Sequence, residues 1–132
     1  MDSYENAWQG VRARIAKAAS AFGRDPSAVS LLVVSKTFPV EAIKAVHRLG
    51  QREFGENYVQ EAAEKRAGLA ELPDLRWVLI GPLQRNKAKV AADVFDRIES
   101  ADRLAIAERL SAARRAERGP LEVLVQVNIS NE

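Results

Sequence analysis

The 132-residue sequence contains no cysteine and a single histidine, His47. The lack of cysteine excludes disulfides and thiolate metal sites, and a lone histidine makes an ordinary zinc site a poor candidate. No apolar run approaches the roughly 20 residues that a membrane-spanning helix needs. The first residues, MDSYENAW, are polar and acidic and do not resemble a signal peptide. These absences predict a soluble, cytoplasmic protein that has no membrane partner.

The sequence also has no large excess of positive or negative charge, because 20 lysines and arginines nearly balance 18 aspartates and glutamates. No stretch of five or six like charges appears, so no nucleic acid partner is predicted. The seven glycines are scattered singly, which excludes a glycine-rich phosphate loop. The remaining composition, 47% hydrophobic and 29% charged, is typical of one globular domain.

The chain begins with a predicted helix over residues 3–22, where Trp8, Val11, Ile15 and Phe22 recur at helical spacing. A turn at 24–27 follows. Strands and helices then alternate. The predicted strands cover 31–35, 52–55, 76–81, 96–99 and 121–129, and the helices cover 39–49, 57–70, 83–95 and 100–118. The strand at 96–99 is the weakest, because Ile98 is its only strong strand former.

Strands that alternate with helices predict a parallel sheet covered by helices. Two architectures are compatible with this pattern: a doubly wound open sheet, or part of an eight-stranded barrel. Periodicity does not separate them. The length of the chain favours the open sheet, since a complete barrel usually needs about 250 residues.

In both architectures, ligands bind where the strands end. Polar residues follow four of the predicted strands, at 35–37, 56–57, 84–87 and 128–130. Lys36 has the most distinctive chemistry, because a neutral amine condenses with an aldehyde and partial burial favours neutral amines. Asn57 is predicted to cap the following helix. Glu41, Glu61 and Glu64 are predicted to point outward from their helices.

Five motifs carry a resemblance to a known family. They are VVSKTFP, FGENYVQE, WVLIGPLQRNK, IESADRL and VLVQVNIS, and they occur in this order. Together they resemble the N-terminal half of the pyridoxal phosphate (PLP) homeostasis proteins, which share the barrel of the alanine racemase N-terminal domain. The resemblance therefore implies the first five strands of a (β/α)8 TIM-type barrel of PLP fold type III. It also implies that Lys36 holds PLP as a Schiff base, with Asn57 beside the cofactor.

The function implied by the resemblance is PLP binding and homeostasis without established turnover. Two alternatives stay open: a PLP-dependent amino-acid racemase of the same fold, and a non-catalytic module that pairs with another chain. The family continues through three further strands, which supply most of its phosphate-binding groups. Residues 1–132 are thus expected to form one partial domain, with an N-terminal helix and turn (1–30) and five strands with their helices (31–132). Self-association or a complementing C-terminal half is the expected protein partner.

Overall fold

The computed structural model describes residues 3–131, and β-strands and α-helices alternate along this range. The strands are β1 (Val33–Val34), β2 (Glu53–Glu56), β3 (Arg76–Leu79), β4 (Arg97–Ala101) and β5 (Glu122–Val125). The helices are α1 (Ser3–Ala21), α2 (Val40–His47), α3 (Val59–Gly68), α4 (Ala88–Val94) and α5 (Leu104–Ala113). Short 3-10 turns occupy Pro26–Ala28, Arg85–Lys87 and Ala116–Arg118. No helix within residues 3–131 combines the length and the apolar character that crossing a bilayer requires.

The strands lie in the sheet in their sequence order, β1-β2-β3-β4-β5, and every neighbouring pair is parallel. A doubly wound open sheet would reverse its strand order at a switch point. A barrel instead places each new strand beside the previous one. The structure is therefore the five-stranded N-terminal part of a TIM-type barrel. The fold implied by the resemblance is confirmed, and the open sheet favoured by chain length is wrong.

The outer face of the sheet, which packs against the helices, carries the hydrophobic core. Phe54, Leu79 and Ile98 are each at most 1% exposed on this face. The helices complete the core with apolar side chains, namely Ile43, Val46, Ala62, Ala91, Ile106 and Leu110. Burying one large apolar side chain contributes about 1.5–3 kcal/mol, so this contact layer is the main source of stability.

The inner face, which lines the barrel interior, is less completely covered. A Cβ atom placed at Gly55 would lie 3.3 Å from Ile80 and 3.4 Å from Leu32, which puts these three residues on one face. Alternation along β1 adds Val34 and Lys36 to the same face. Val34 is 45% exposed. The interior thus lacks neighbours on the side of β1.

The last strand differs from its prediction in length and burial. β5 covers Glu122–Val125 rather than residues 121–129, because β4 ends at Ala101, the partner of Val125. The apolar face of β5 was expected to meet helices, and Val123 and Leu110 of α5 line the same open groove, where Val123 is 39% exposed. Val125, however, is 76% exposed. The helix layer therefore reaches only the first half of this strand.

The weakly predicted strand at 96–99 is present as β4 and is longer than expected. Its neighbours explain this, since Arg97 pairs with Val78 on one side and with Glu122 on the other. Ser100 lies inside β4 and does not cap α5, because Arg103 occupies the N-cap position. Pairing on both sides has overridden the low strand propensity of the segment.

Helix α5 ends five residues before the predicted boundary at residue 118. Arg114 takes an extended conformation at the C-cap, and its guanidinium donates to the main-chain oxygens of Ala92, Phe95 and Gly119 at 2.6, 2.9 and 2.9 Å. A single side chain thus satisfies two carbonyl groups at the end of α4 and one after the 3-10 turn Ala116–Arg118, which stabilises the early end of α5. The predicted helix at 83–95 is likewise divided into the 3-10 turn Arg85–Lys87 and α4.

The strand predicted at 31–35 is reduced to Val33–Val34, because the main-chain oxygen of Leu31 accepts from the side chain of Gln51 instead of joining the ladder.

Candidate functional site

Three neighbouring strands bring the candidate residues to one rim of the sheet. Lys36 follows β1, Asn57 follows β2, and the β1–β2 register pairs Val34 with Gly55. The ladder continues beyond β1, because the amide of Ser35 donates to the main-chain oxygen of Gly55 at 2.9 Å. Lys36 comes two residues after the end of β1, and Asn57 comes one residue after the end of β2. The two predicted site residues therefore follow paired, adjacent strands at the same edge of the sheet.

Asn57 lies close to Gly81, which follows β3. A Cβ atom at Gly81 would overlap the main-chain oxygen of Asn57 and would lie 2.9 Å from its Oδ1 atom. Only glycine allows the two main chains to approach so closely. Gly81 is thus a residue of the rim that sequence reasoning missed. A glycine immediately after a buried strand was the available signal.

The predicted capping role of Asn57 is wrong. Helix α3 begins at Val59, its N-cap is Tyr58, and no side chain makes a capping hydrogen bond there. Asn57 is one residue too early to reach the free amides of the first turn. Its position beside Gly81 leaves it on the rim rather than in the helix.

The residue Lys36 is exposed. Lys36 therefore contributes an exposed primary amine to the rim.

A buried charge cluster lies directly behind Lys36, on the helix side of the sheet. Glu56 is fully buried, and both its carboxylate oxygens accept from the Lys65 Nζ atom, at 2.9 and 3.0 Å. The Ser35 hydroxyl donates to the same carboxylate. Lys65 also donates to the main-chain oxygen of Ser35 at 2.8 Å and pairs with Glu61 at 2.8 Å. These bonds compensate the cost of burying both charges.

Glu61 connects this cluster to the residue after Lys36. Its Oε1 atom accepts from the amide of Thr37 at 2.7 Å, so the prediction that Glu61 points outward is wrong. Thr37 has φ 67°, a left-handed conformation that costs a β-branched residue about 1–3 kcal/mol. The hydrogen bond from Lys65, with a further contribution from the Thr37 amide, lowers the pKa of Glu61. The charged form of Glu61 is thus favoured, and this carboxylate accepts the hydrogen bond from the left-handed residue Thr37.

The other predicted ligand positions lie in separate exposed segments. Residues 84–87 are exposed, and residues 84–86 line an open groove of about 520 Å³ together with Asp102 and Arg103. Residues 128–130 follow β5 and are exposed. Among residues 3–131, potential metal-ligating side chains do not come together in any group of three or more. The chemistry of the rim is therefore that of an amine and amides.

The fold and the rim together define a class: a parallel α/β-barrel segment that presents a lysine at the end of its first strand. Comparison with known families is specific on this point. The chain belongs to the family described as "Alanine racemase, N-terminal domain", which matches residues 9–132.

Similar proteins share the same architecture over about half of their length. The pyridoxal phosphate homeostasis protein of Pseudomonas aeruginosa is 54% identical over 122 residues, which cover 92% of this chain and 53% of that protein. PipY of Synechococcus elongatus, solved without PLP, has a TM-score of 0.73 and 45% identity, and the match covers 87% of this chain and 54% of PipY. PipY with PLP bound has a TM-score of 0.65 and 50% identity, with 75% and 47% covered. The chain spans about half the length of the curated relatives it matches.

Proposed function

We propose that this chain is the lysine-bearing portion of a PLP-binding protein that serves PLP homeostasis. Lys36 holds the cofactor covalently, and Asn57 lies beside it. The observation that carries the proposal is the position of Lys36 just after β1, exposed on the rim where Asn57 follows the neighbouring strand β2. Relatives about 50% identical are named for PLP homeostasis, and one similar protein has been solved with PLP bound.

The residues present fit the aldehyde end of PLP. Lys36 would hold the cofactor through its amine, and the aldehyde of PLP would supply the group that condenses with this amine with release of one water molecule. Asn57 offers an amide that can donate to or accept from a polar group of the ring. The described residues include no glycine-rich phosphate loop, so the phosphate end depends on groups beyond these strands. The chain thus supplies the covalent attachment, and further residues supply the rest of the binding energy.

Reduction with borohydride tests the attachment, because it converts the C=N bond to a stable amine. The chain is mixed with PLP, reduced, digested and mapped by mass spectrometry. We expect the label on Lys36, and we expect Lys36→Ala to lose it. Lys89→Ala is the matched control, because Lys89 is an exposed lysine of α4 on the helix layer. Equal labelling of Lys36→Ala and the unchanged chain would refute the assignment.

We further propose that the open inner face is covered by polypeptide equivalent to the other half of the relatives. Val34 and Leu124, near the two edges of the sheet, are 45% and 52% exposed on this face. Apolar side chains and unpaired strand edges in these positions normally meet another segment or self-associate. On this proposal, residues 1–132 form one partial barrel domain.

Gel filtration with absorbance detection of PLP tests this second proposal. The chain is run alone and after mixing with the C-terminal half of a PLP homeostasis protein. We expect the chain alone to retain little PLP and to associate, and the mixture to form a barrel-sized complex that retains PLP. A chain that elutes alone as a cooperatively unfolding monomer with PLP still bound would show that five strands suffice.

Homeostasis, rather than amino-acid turnover, is the role we propose for the site, and we place this role in the cytoplasm. A racemase of this fold needs a second catalytic base on the opposite side of the substrate. The complex of both halves is therefore assayed for racemisation of amino acids and for transfer of PLP to an apo-enzyme. We expect transfer without racemisation. Racemisation that depends on Lys36 would favour the enzyme alternative.

A further inference from the structure

The main chain is held on both sides of Lys36 by a single helix. The main-chain oxygen of Ser35 accepts from Lys65 at 2.8 Å, and the amide of Thr37 donates to Glu61 at 2.7 Å. These two groups belong to the peptide units immediately before and after Lys36. Glu61 and Lys65 are four residues apart on α3 and pair with each other at 2.8 Å. One turn of helix therefore contacts both peptide units that determine where Lys36 points.

The conformation of this segment needs such support. Thr37 is one of two non-glycine residues with positive φ in the described range 3–131, and its β-branched side chain disfavours that conformation. Strand β1 itself is only two residues long and ends at Val34, so it does not extend to Lys36. Regular strand pairing alone therefore does not hold the segment that carries Lys36.

The buried part of the cluster fixes the helix turn that makes these contacts. Glu56 is fully buried in β2 and binds Lys65 through both carboxylate oxygens. Lys65 is thereby anchored to the neighbouring strand, and its remaining bonds go to Ser35 and Glu61. Helix α3 is thus connected to the segment after β1 by charged side chains that are themselves bound to the buried Glu56.

We infer that Glu61 and Lys65 are positioning residues for Lys36: together they hold its flanking peptide units and so direct its amine toward the interior of the barrel. The choice of PLP as the ligand in the tests below rests on the proposed function. The hydrogen bonds around Lys36 are independent of that proposal. Neither residue contacts the reacting atoms, and both act through the main chain.

Glu61 is the residue to replace, because it is partly exposed and its loss leaves Lys65 paired with Glu56. Replacing Lys65 would leave the fully buried Glu56 as an uncompensated charge, and the variant could fail to fold. The test set is Glu61→Ala and Glu61→Gln. Glu64→Ala is the matched control, because Glu64 is exposed on the same helix and bonds to exposed Gln60 at 3.2 Å.

The first measurement is amide hydrogen exchange at Thr37 without any ligand. We expect exchange at Thr37 to become roughly tenfold faster in Glu61→Ala, because the acceptor of its amide is lost. Glu61→Gln keeps an oxygen that can accept this bond and should show an intermediate rate. Glu64→Ala should match the unchanged chain. An unaltered Thr37 rate in Glu61→Ala would overturn the inference.

The second measurement is the attachment of PLP to Lys36, trapped with borohydride and mapped in the same variants. We expect a loss of roughly tenfold in Glu61→Ala, partial recovery in Glu61→Gln and no change in Glu64→Ala, because covalent attachment is sensitive to the position of the nucleophile. Faster exchange at Thr37 with unchanged attachment would show that the bonds do not position Lys36. Lack of attachment in the unchanged chain would contradict the proposed function instead. Formaldehyde, followed by reduction, would then replace PLP as the probe of Lys36.

Discussion

The two faces of the sheet differ in how completely this chain covers them. On the outer face, Phe54 is 1% exposed and packs among helix residues. On the inner face, Leu124 is 52% exposed. The strands are the same on both sides, so strand propensity does not account for the contrast. The difference shows that the helices following each strand complete the outer layer, whereas the inner layer needs residues from all sides of a barrel.

The inner face is nevertheless ordered at one end, where the strands begin. Arg97 of β4 binds both carboxylate oxygens of Glu53 of β2, at 3.1 and 3.2 Å, and Arg76 binds Glu122 of β5 at 2.6 Å. A carboxylate bound by both arms of a guanidinium has a well-defined geometry. This ladder crosses four strands and fixes their relative positions. Charged groups thus organise the end of the interior opposite Lys36.

The sharpest test of the contrast between faces is to remove one large side chain from each. Phe54→Ala should lower the free energy of unfolding by about 3–5 kcal/mol, because it leaves a cavity in the outer core. Leu124→Ala should lower it by less than about 1 kcal/mol, since half of the side chain is already exposed. Urea unfolding followed by circular dichroism measures both. Similar losses for the two variants would mean that the inner face is covered by contacts not seen in the chain alone.

A smaller loss of stability is expected from a substitution at the rim of the sheet. Gly81→Ala should lower the free energy of unfolding by about 1–3 kcal/mol, because the added methyl group overlaps the main chain of Asn57. It should also reduce PLP retention by moving Asn57. Gly10→Ala is the matched control: nothing lies within 4 Å of its added Cβ in α1, so it should raise stability by about 0.5–1 kcal/mol. Thermal unfolding and PLP retention are measured for both, and an undisturbed Gly81→Ala variant would contradict the close approach.

Arg97→Ala should lower the free energy of unfolding by about 1–2 kcal/mol, because it removes the hydrogen bonds of Arg97 in the charged ladder. Its hydrogen bond is the main cause that lowers the pKa of Glu53 below the ordinary 4.5. The unfolded chain therefore takes up a proton at Glu53 first as the pH falls. The stability that Glu53 contributes is complete above pH 4.5 and is lost as the pH falls through the lowered pKa. The free energy of unfolding is measured as a function of pH. It should fall less steeply in acid for Glu53→Gln than for the unchanged chain, and equal slopes for the two would contradict the ladder.

The smallest effect on stability is expected at Asn57. Asn57→Ala should change the free energy of unfolding by no more than about 0.5 kcal/mol, because its side chain does not cap α3. PLP retention should still fall, since the amide beside Lys36 is lost. Melting temperature and retained PLP are measured on the same samples. A large loss of stability would restore the capping role, and unchanged retention would remove Asn57 from the site.

The predictions from the sequence were right where structure depends on residues close together in sequence, and they were inaccurate where it depends on distant ones. The alternation of strands and helices was visible because apolar spacing and turn residues act over a few neighbours. The weak segment around Ile98 was underestimated, since two flanking strands determine its conformation. Helix α5 was overestimated, because the end of the helix depends on Arg114 reaching carbonyl groups about 20 residues away in sequence.

For the site, the sequence by itself determined the candidate residues: a lysine after a buried strand, an asparagine after the next, and the five motifs around them. The tertiary structure alone decided the order of the strands, the approach of Gly81 to Asn57, and the hold of Glu61 and Lys65 on the main chain around Lys36. The physical reason is that residue type and periodicity are local properties of the chain. Contacts between groups 24 to 30 residues apart arise only when the core has brought their strands and helices together.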